Sequence, residues 1–154
     1  MTLSHIGDEQ EIRNLVQRYA DAASRRDPAA IASTFNIDGT WYSPPLGRFI
    51  GHEAMLAFFT PLLAPWDVFL QAMMSGVVVV DDSNPVRAVG RWFVQETAHR
   101  SEGAHLSISG VYHDEYTRGD GKWLILHRRY DALLRNTNGE ITTHPFPTDV
   151  PTIG

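Results

Sequence analysis

The stretch GVYHDEYTRGDGKWLILHRRY, Gly110 to Tyr130, decides the fold. Aromatic and β-branched side chains recur in both of its halves, which favours extended, pleated backbone. Between them Gly119-Asp120-Gly121 is hairpin turn chemistry, since such residues accept positive φ cheaply. The reading gives two long antiparallel strands, His105 to Arg118 and Lys122 to Leu134. Working back toward the N-terminus, Val86 to about Thr97 reads as a third strand. Gln71 to Asp81, carrying Val77-Val78-Val79-Val80 and closed by the turn Asp82-Ser83-Asn84-Pro85, reads as a fourth. Strands of about 12 residues would run about 40 Å if straight, so they must twist and curl around a filling.

Helices ahead of the sheet supply that filling. From Asp8 to Arg26, Ile12, Leu15, Val16, Tyr19, Ala22 and Ala23 recur at helical spacing, and Asp8 with Glu11 has the form of a capping box. Asp27-Pro28 reads as the cap and first-turn proline of a short second helix that buries Ile31 and Phe35. Thr40 to Ser43 suits a short strand ended by Pro44-Pro45-Leu46-Gly47. Phe49-Ile50-Gly51 leads into a third helix that Pro61 is expected to break. After Arg135, the prolines at 145, 147 and 151 point to an extended coil. The expected fold is α+β: a cone-shaped, curved antiparallel or mixed β-sheet wrapped around three N-terminal helices, with one internal pocket. One domain takes in residues 1–154, with a core of about 8–134 and an extended tail over 135–154.

The formal charge of -5, with no basic stripe, speaks against a nucleic-acid partner. Cysteine is absent, which removes disulfides, thiolate nucleophiles and cysteine-ligated zinc. Met1 to Gln10 is polar and no apolar run nears the ~20 residues that span a bilayer, so a cytoplasmic protein without a membrane partner is expected. No phosphate loop, dinucleotide fingerprint, nucleophile elbow or metal-hydrolase histidine pair occurs, so neither cofactor nor metal is expected.

The hairpin, with its Gly110 to Arg118, Asp120-Gly121-Lys122-Trp123 and Arg128-Arg129-Tyr130, resembles the final hairpin of SnoaL-like proteins, members of the nuclear-transport-factor-2-like superfamily. Arg18-Tyr19, Asp27, Ile37-Asp38-Gly39-Thr40, Pro45-Leu46-Gly47 followed by Gly51, and Gly90-Arg91-Trp92 also fall where that family has similar residues. The resemblance covers about Asp8 to Leu134. It implies cofactor-free proton transfer on an oily, oxygenated small molecule, as in scytalone dehydratase, bile-acid dehydratase, ketosteroid isomerase and polyketide cyclases. It also implies a homodimer through the outer sheet face. Tyr19 falls where the isomerase and the bile-acid dehydratase place a pocket tyrosine, and Glu96 where the latter has a catalytic aspartate. The dehydratases' helix-one aspartate falls on Ser24 and their strand histidine on or beside Gln71. The isomerase's two aspartates fall on Ser43 and Tyr112. Neither catalytic set is therefore intact, and a non-catalytic binding or assembly subunit stands as the alternative to an enzyme.

Residue chemistry gives the candidates their roles. Trp92, Val94 and Glu96 share a strand face, so Glu96 is a carboxylate on an apolar surface, where desolvation raises its pKa into the range useful for proton transfer. Tyr19 and Glu96 form the expected catalytic pair. Trp41, Ser43, Phe58, Gln71, Met73, Trp92, Tyr112 and Arg128 form the expected substrate-binding set. Arg128 is placed on one face with Leu124, Leu126 and Tyr130, and an inward arginine needs a carboxylate partner, Glu96 or Asp114. His113 and His127 fall on the opposite face, toward a partner subunit, while His99 and His105 flank the loop at the cone mouth.

Overall fold

The computed structural model describes residues 5–153. Helix α1 (Ile6–Ser24) buries the stripe that its spacing marks, from Ile12 to Ala23. Its start departs from the expected capping box. His5 is the N-cap and makes no side-chain cap bond, and Asp8 lies within the first turn. Asp8 Oδ1 accepts instead from Arg118 Nη1 at 2.7 Å and from the Trp123 indole at 2.9 Å, and Glu11 accepts from the Trp123 amide. Both acids thus fasten the helix to the distant hairpin, and at the positive end of the dipole they are favourably placed.

Helix α2 (Pro28–Ser33) starts as its sequence dictates, with the Asp27 carboxylate accepting from the Ala30 amide at 3.0 Å. Phe35 is buried but already opens β1 (Phe35–Ser43), which begins well before the expected Thr40. A short β2 (Gly47–Ile50) folds back on it, and α3 (His52–Leu63) follows. Pro61 does not break α3. It stands in the last turn, where it forfeits one ladder bond, and the Ala64 amide closes the helix on the Thr60 carbonyl at 3.2 Å.

The remaining strands are β3 (Val68–Val80), β4 (Arg87–Arg100), β5 (Ala104–Gly119), β6 (Lys122–Thr137) and β7 (Glu140–Thr143). The sheet runs β2-β1-β6-β5-β4-β3, with β7 beside β6; β1 and β6 are parallel and every other pair is antiparallel. The segment after Arg135 is therefore partly strand rather than coil. Long strands curl through register slips, one on β3 between Met73 and Gly76 and two where β5 meets β6. The slip opposite Glu115 and Tyr116 reverses the expected facing of early β6. Trp123 and Ile125 point inward with Arg128 and Tyr130, whereas Leu124 and Leu126 are only partly buried. Both sets are apolar up to the slip, so alternation alone cannot choose between them.

On the concave side the helices and sheet share one core. There Gly76 lies flat beneath Trp92: a Cβ at this position would stand 2.1 Å from the indole ring. Gly76→Ala is expected to lower unfolding free energy by about 1–3 kcal/mol through overpacking, measured as a lower urea midpoint at unchanged m-value. A midpoint equal to wild type would show that the indole moves aside freely.

Beyond β7 the chain crosses the convex face. The Phe146 ring meets Phe93 and stands edge-on to His113, Asp149 accepts from Arg129, and Ile153 is buried. His113 is covered by this chain's own tail, and His127 stays exposed. Among the described residues no helix is long and apolar enough to cross a membrane.

Candidate active site

Between the concave face and the helices lies a cavity of about 280 Å³. The strand register assembles its polar side. Gln71 on β3 stands directly opposite Glu96 on β4, and Tyr112 on β5 directly opposite Tyr130 on β6. Tyr19 comes from α1, Trp41 and Ser43 from β1. Leu46, Leu62 and Arg135 also line the space and are exposed, so they mark where it opens.

The Tyr130 hydroxyl donates to Glu96 Oε1 at 2.5 Å, and Gln71 Nε2 approaches Oε2 at 3.4 Å. Burial raises the Glu96 pKa; the bonds from Tyr130 and Gln71 and the charge of Arg135 oppose that only in part. Burial likewise raises Tyr130, and the adjoining Glu96 charge adds to it, so the phenol keeps its proton and remains a donor. A Cβ on Gly110 would stand 2.6 Å from the Tyr130 ring, so the missing side chain is what lets that ring lie where its hydroxyl meets Glu96.

A second group of donors stands beside the first. Gln71 Nε2 donates to the Tyr112 hydroxyl at 3.1 Å and the Trp41 indole to the Tyr19 hydroxyl at 3.2 Å. The two phenols meet edge to face, with ring centroids 5.8 Å apart. Burial raises both pKa values; Arg128 and a hydrogen bond from Tyr112 pull Tyr19 back. Two adjoining hydroxyls can hold one hydrogen between them, which leaves one phenol proton to donate into the cavity. Gln71 Oε1 is buried and has no hydrogen-bond partner among the described residues, an acceptor left for a ligand hydroxyl.

Arg128 lies behind this surface rather than on it. Its guanidinium carbon sits 4.2 Å over the Tyr19 ring and 4.1 Å over the Tyr112 ring. Its carboxylate partner is Asp114, held by two bonds of 2.8 and 2.7 Å, and Glu96 is left without a directly paired cation among the described residues. Burial pulls the guanidinium pKa down, but Asp114 outweighs it and the net shift is upward. Asp114 also accepts from the Tyr116 hydroxyl, which in turn accepts from the Trp92 indole at 2.9 Å.

Of the residues expected at the site, the structure brings Tyr19, Glu96, Trp41, Ser43, Gln71 and Tyr112 together on the cavity wall. Trp92, Arg128, Met73 and Phe58 are not on it. Trp92 and Arg128 form the support just described. Phe58 stacks on Phe49 at 4.0 Å and packs against Trp41, and partly buried Met73 joins the core. Ser24, at the position of the dehydratases' aspartate, accepts from the Gln71 amide at 2.9 Å and ties α1 to β3. Sequence reasoning missed Tyr130 and Arg135; the available signal for Tyr130 was its place two residues beyond Arg128 on an inward face. His99 and His105 are exposed, their rings 5.8 Å apart.

A model of the SnoaL-like domain matches residues 4–129. The chain belongs to the SnoaL-like family. No curated protein matches it significantly. Among solved structures it is similar to a scytalone-dehydratase-like protein of Novosphingobium aromaticivorans, with 16% identity over 98% of this chain and 97% of the other, at a TM-score of 0.79. It is also similar to the hexachlorocyclohexane dehydrochlorinase LinA-type3 of Novosphingobium barchaimii, with 20% identity over 97% and 99% and a TM-score of 0.75. A third is a nuclear-transport-factor-2-like protein of cystatin-like fold from N. aromaticivorans, with 21% identity over 85% of each chain and a TM-score of 0.72. At these identities the likeness establishes the α+β fold of helices and a curved mixed sheet.

Proposed function

We propose that this protein is a cofactor-independent lyase or isomerase acting on an apolar, oxygenated polycyclic small molecule held in the inner cavity. The observation that carries this reading is Glu96: a carboxylate with no directly paired cation among the described residues, its pKa raised by burial, on the wall of an apolar cavity that phenol donors also line. Glu96 takes a proton from carbon beside a carbonyl. The electron pair moves onto the carbonyl oxygen, which accepts from the Tyr19–Tyr112 pair, and the Arg128 charge behind both rings favours that build-up. Collapse of the enolate either returns the proton at another carbon, which is isomerisation, or expels a β-hydroxyl that leaves with the Glu96 proton as water, which is dehydration. Gln71 Oε1 is positioned for a substrate hydroxyl, and the aromatic wall suits a flat body. The dehydratase and dehydrochlorinase among its structural neighbours are lyases by name, which agrees with this class.

A panel of hydroxylated and keto polycyclic compounds, followed by mass spectrometry for loss of water and by retention time for isomers, tests the proposal. Wild type is expected to convert at least one compound, and Tyr19→Phe to slow that conversion about 10²–10³-fold, the usual effect of losing one oxyanion donor. Compounds that bind and are released unchanged would instead support the alternative of a binding subunit, to which the altered Ser24 and Gln71 positions lend weight.

A further inference from the structure

On the convex face, one cross-strand row runs Arg91, His113, Arg129, Tyr42, Arg48, each residue directly opposite the next on β4, β5, β6, β1 and β2. The Arg48 guanidinium lies 4.5 Å over the Tyr42 ring. The C-terminal tail lies over part of this row and borders a half-open cavity of about 230 Å³, separated from the inner one by the thickness of the sheet. Val150, Pro151 and Ile153 form its tail side, and Tyr42, Arg48 and His113 belong to its sheet side.

His113 is only 6% exposed, yet neither ring nitrogen has a hydrogen-bond partner among the described residues. An imidazole buried this way forfeits the hydrogen bonds that water would give it unless something fills the space beside it. Burial and then the charge of Arg91 push its pKa down, so the ring is neutral and offers one N–H and one lone pair. Of the acids nearby, Asp131 and Asp149 both accept from Arg129 and Asp114 is paired with Arg128, while half-exposed Glu115 has only His127 near it, at 3.8 Å. Arg48 and Arg91 have no carboxylate partner among the described residues. Arg48 is thus a cation on the cavity wall without a carboxylate of its own, and where the tail meets the row, at Asp149 on Arg129, the group the row takes is a carboxylate. Apolar tail walls ask for an organic body, and a volume below the ~300 Å³ of drug-sized pockets limits that body to a single ring or a short chain.

We infer that the tail-covered cavity is a second binding site, for a small organic monocarboxylate that accepts from the His113 ring and pairs with Arg48 while its body packs under Val150, Pro151 and Ile153. Benzoate is a suitable probe, with binding followed on the imidazole resonances of His113, assigned by their loss in His113→Phe. Saturable shifts of those resonances are expected in wild type. Arg48→Gln, at an exposed position outside the core, is expected to weaken the binding about tenfold or more, as loss of a charge-assisted bond does. Glu96→Gln should leave it unchanged, because the inner cavity is not involved. Absence of a saturable shift at His113, an unaltered affinity in Arg48→Gln, or loss of binding in Glu96→Gln would each overturn the assignment. Since nothing here depends on turnover, failure of the inner-site proposal leaves this test standing.

Discussion

Asp114→Ala is expected to lower unfolding free energy by about 3–5 kcal/mol, because it strands the Arg128 guanidinium in the core without a counter-charge. Both side chains of the pair are fully buried, and two short bonds join them. The Tyr116 hydroxyl loses its acceptor in the same step. Against a total stability of about 5–15 kcal/mol for a domain of this kind, such a loss is a large share of the whole. Arg128 is also the charge beneath Tyr19 and Tyr112, so in the variant both rings should be displaced already at urea concentrations where the fold persists. The double variant Asp114→Leu/Arg128→Met separates the worth of the pair from the penalty of breaking it. Replacing both charges by apolar groups of similar bulk should recover most of the loss, since a well-packed apolar pair is often as stable as a buried ion pair. If Asp114→Ala alone cost under about 1 kcal/mol, Arg128 would have to be solvated in a way that its burial does not allow.

How far the sequence reveals this arrangement depends on how local each feature is. The hairpin around Gly119-Asp120-Gly121 and the Asp27-Pro28 helix start carry their own turn and cap chemistry, and both form where they are read. The inward face of Glu96 follows from the two-residue period of β4, which is unbroken there. What joins Glu96 to Tyr130 and Gln71 is cross-strand register, a non-local quantity that the β-bulges reset and that no single segment encodes. The same holds for Arg128, whose partner could be Glu96 or Asp114 until register put Asp114 directly opposite it. Trp92 and Phe58 show a different limit. An aromatic side chain on an inward face packs equally well as wall or as core, and only the shape of the cavity decides. The Asp8–Glu11 spacing misleads for a third reason: a more distant partner, Trp123, outcompetes the helix's own amides for both carboxylates.

Glu96→Gln should move activity and stability in opposite directions. On a substrate identified by the turnover panel, removal of the base is expected to slow the reaction about 10²–10⁴-fold, since the amide cannot take a proton from carbon. The stability effect follows from the direction of the Glu96 shift. Its pKa is raised in the folded protein, chiefly by burial, so between the unfolded and folded pKa values the native state binds more protons than the unfolded one. Stability is full below the ordinary carboxylate pKa, falls as pH rises toward the raised folded value, and is level beyond it. Above that folded value wild type bears the penalty in full. Glutamine has no proton to lose, it can still accept from Tyr130, and its stability should stay flat across the same window. Urea titrations between pH 4 and 8 should therefore show Glu96→Gln matching wild type at the acid end and exceeding it at neutral pH. The wild-type rate should rise over the interval in which its stability declines, because one ionisation governs both. A merely structural Glu96 would give the reverse pattern, a variant less stable at neutral pH whose loss of activity follows its unfolding. Gain of stability with loss of turnover is the signature of a group held in an unfavourable ionisation for the sake of chemistry.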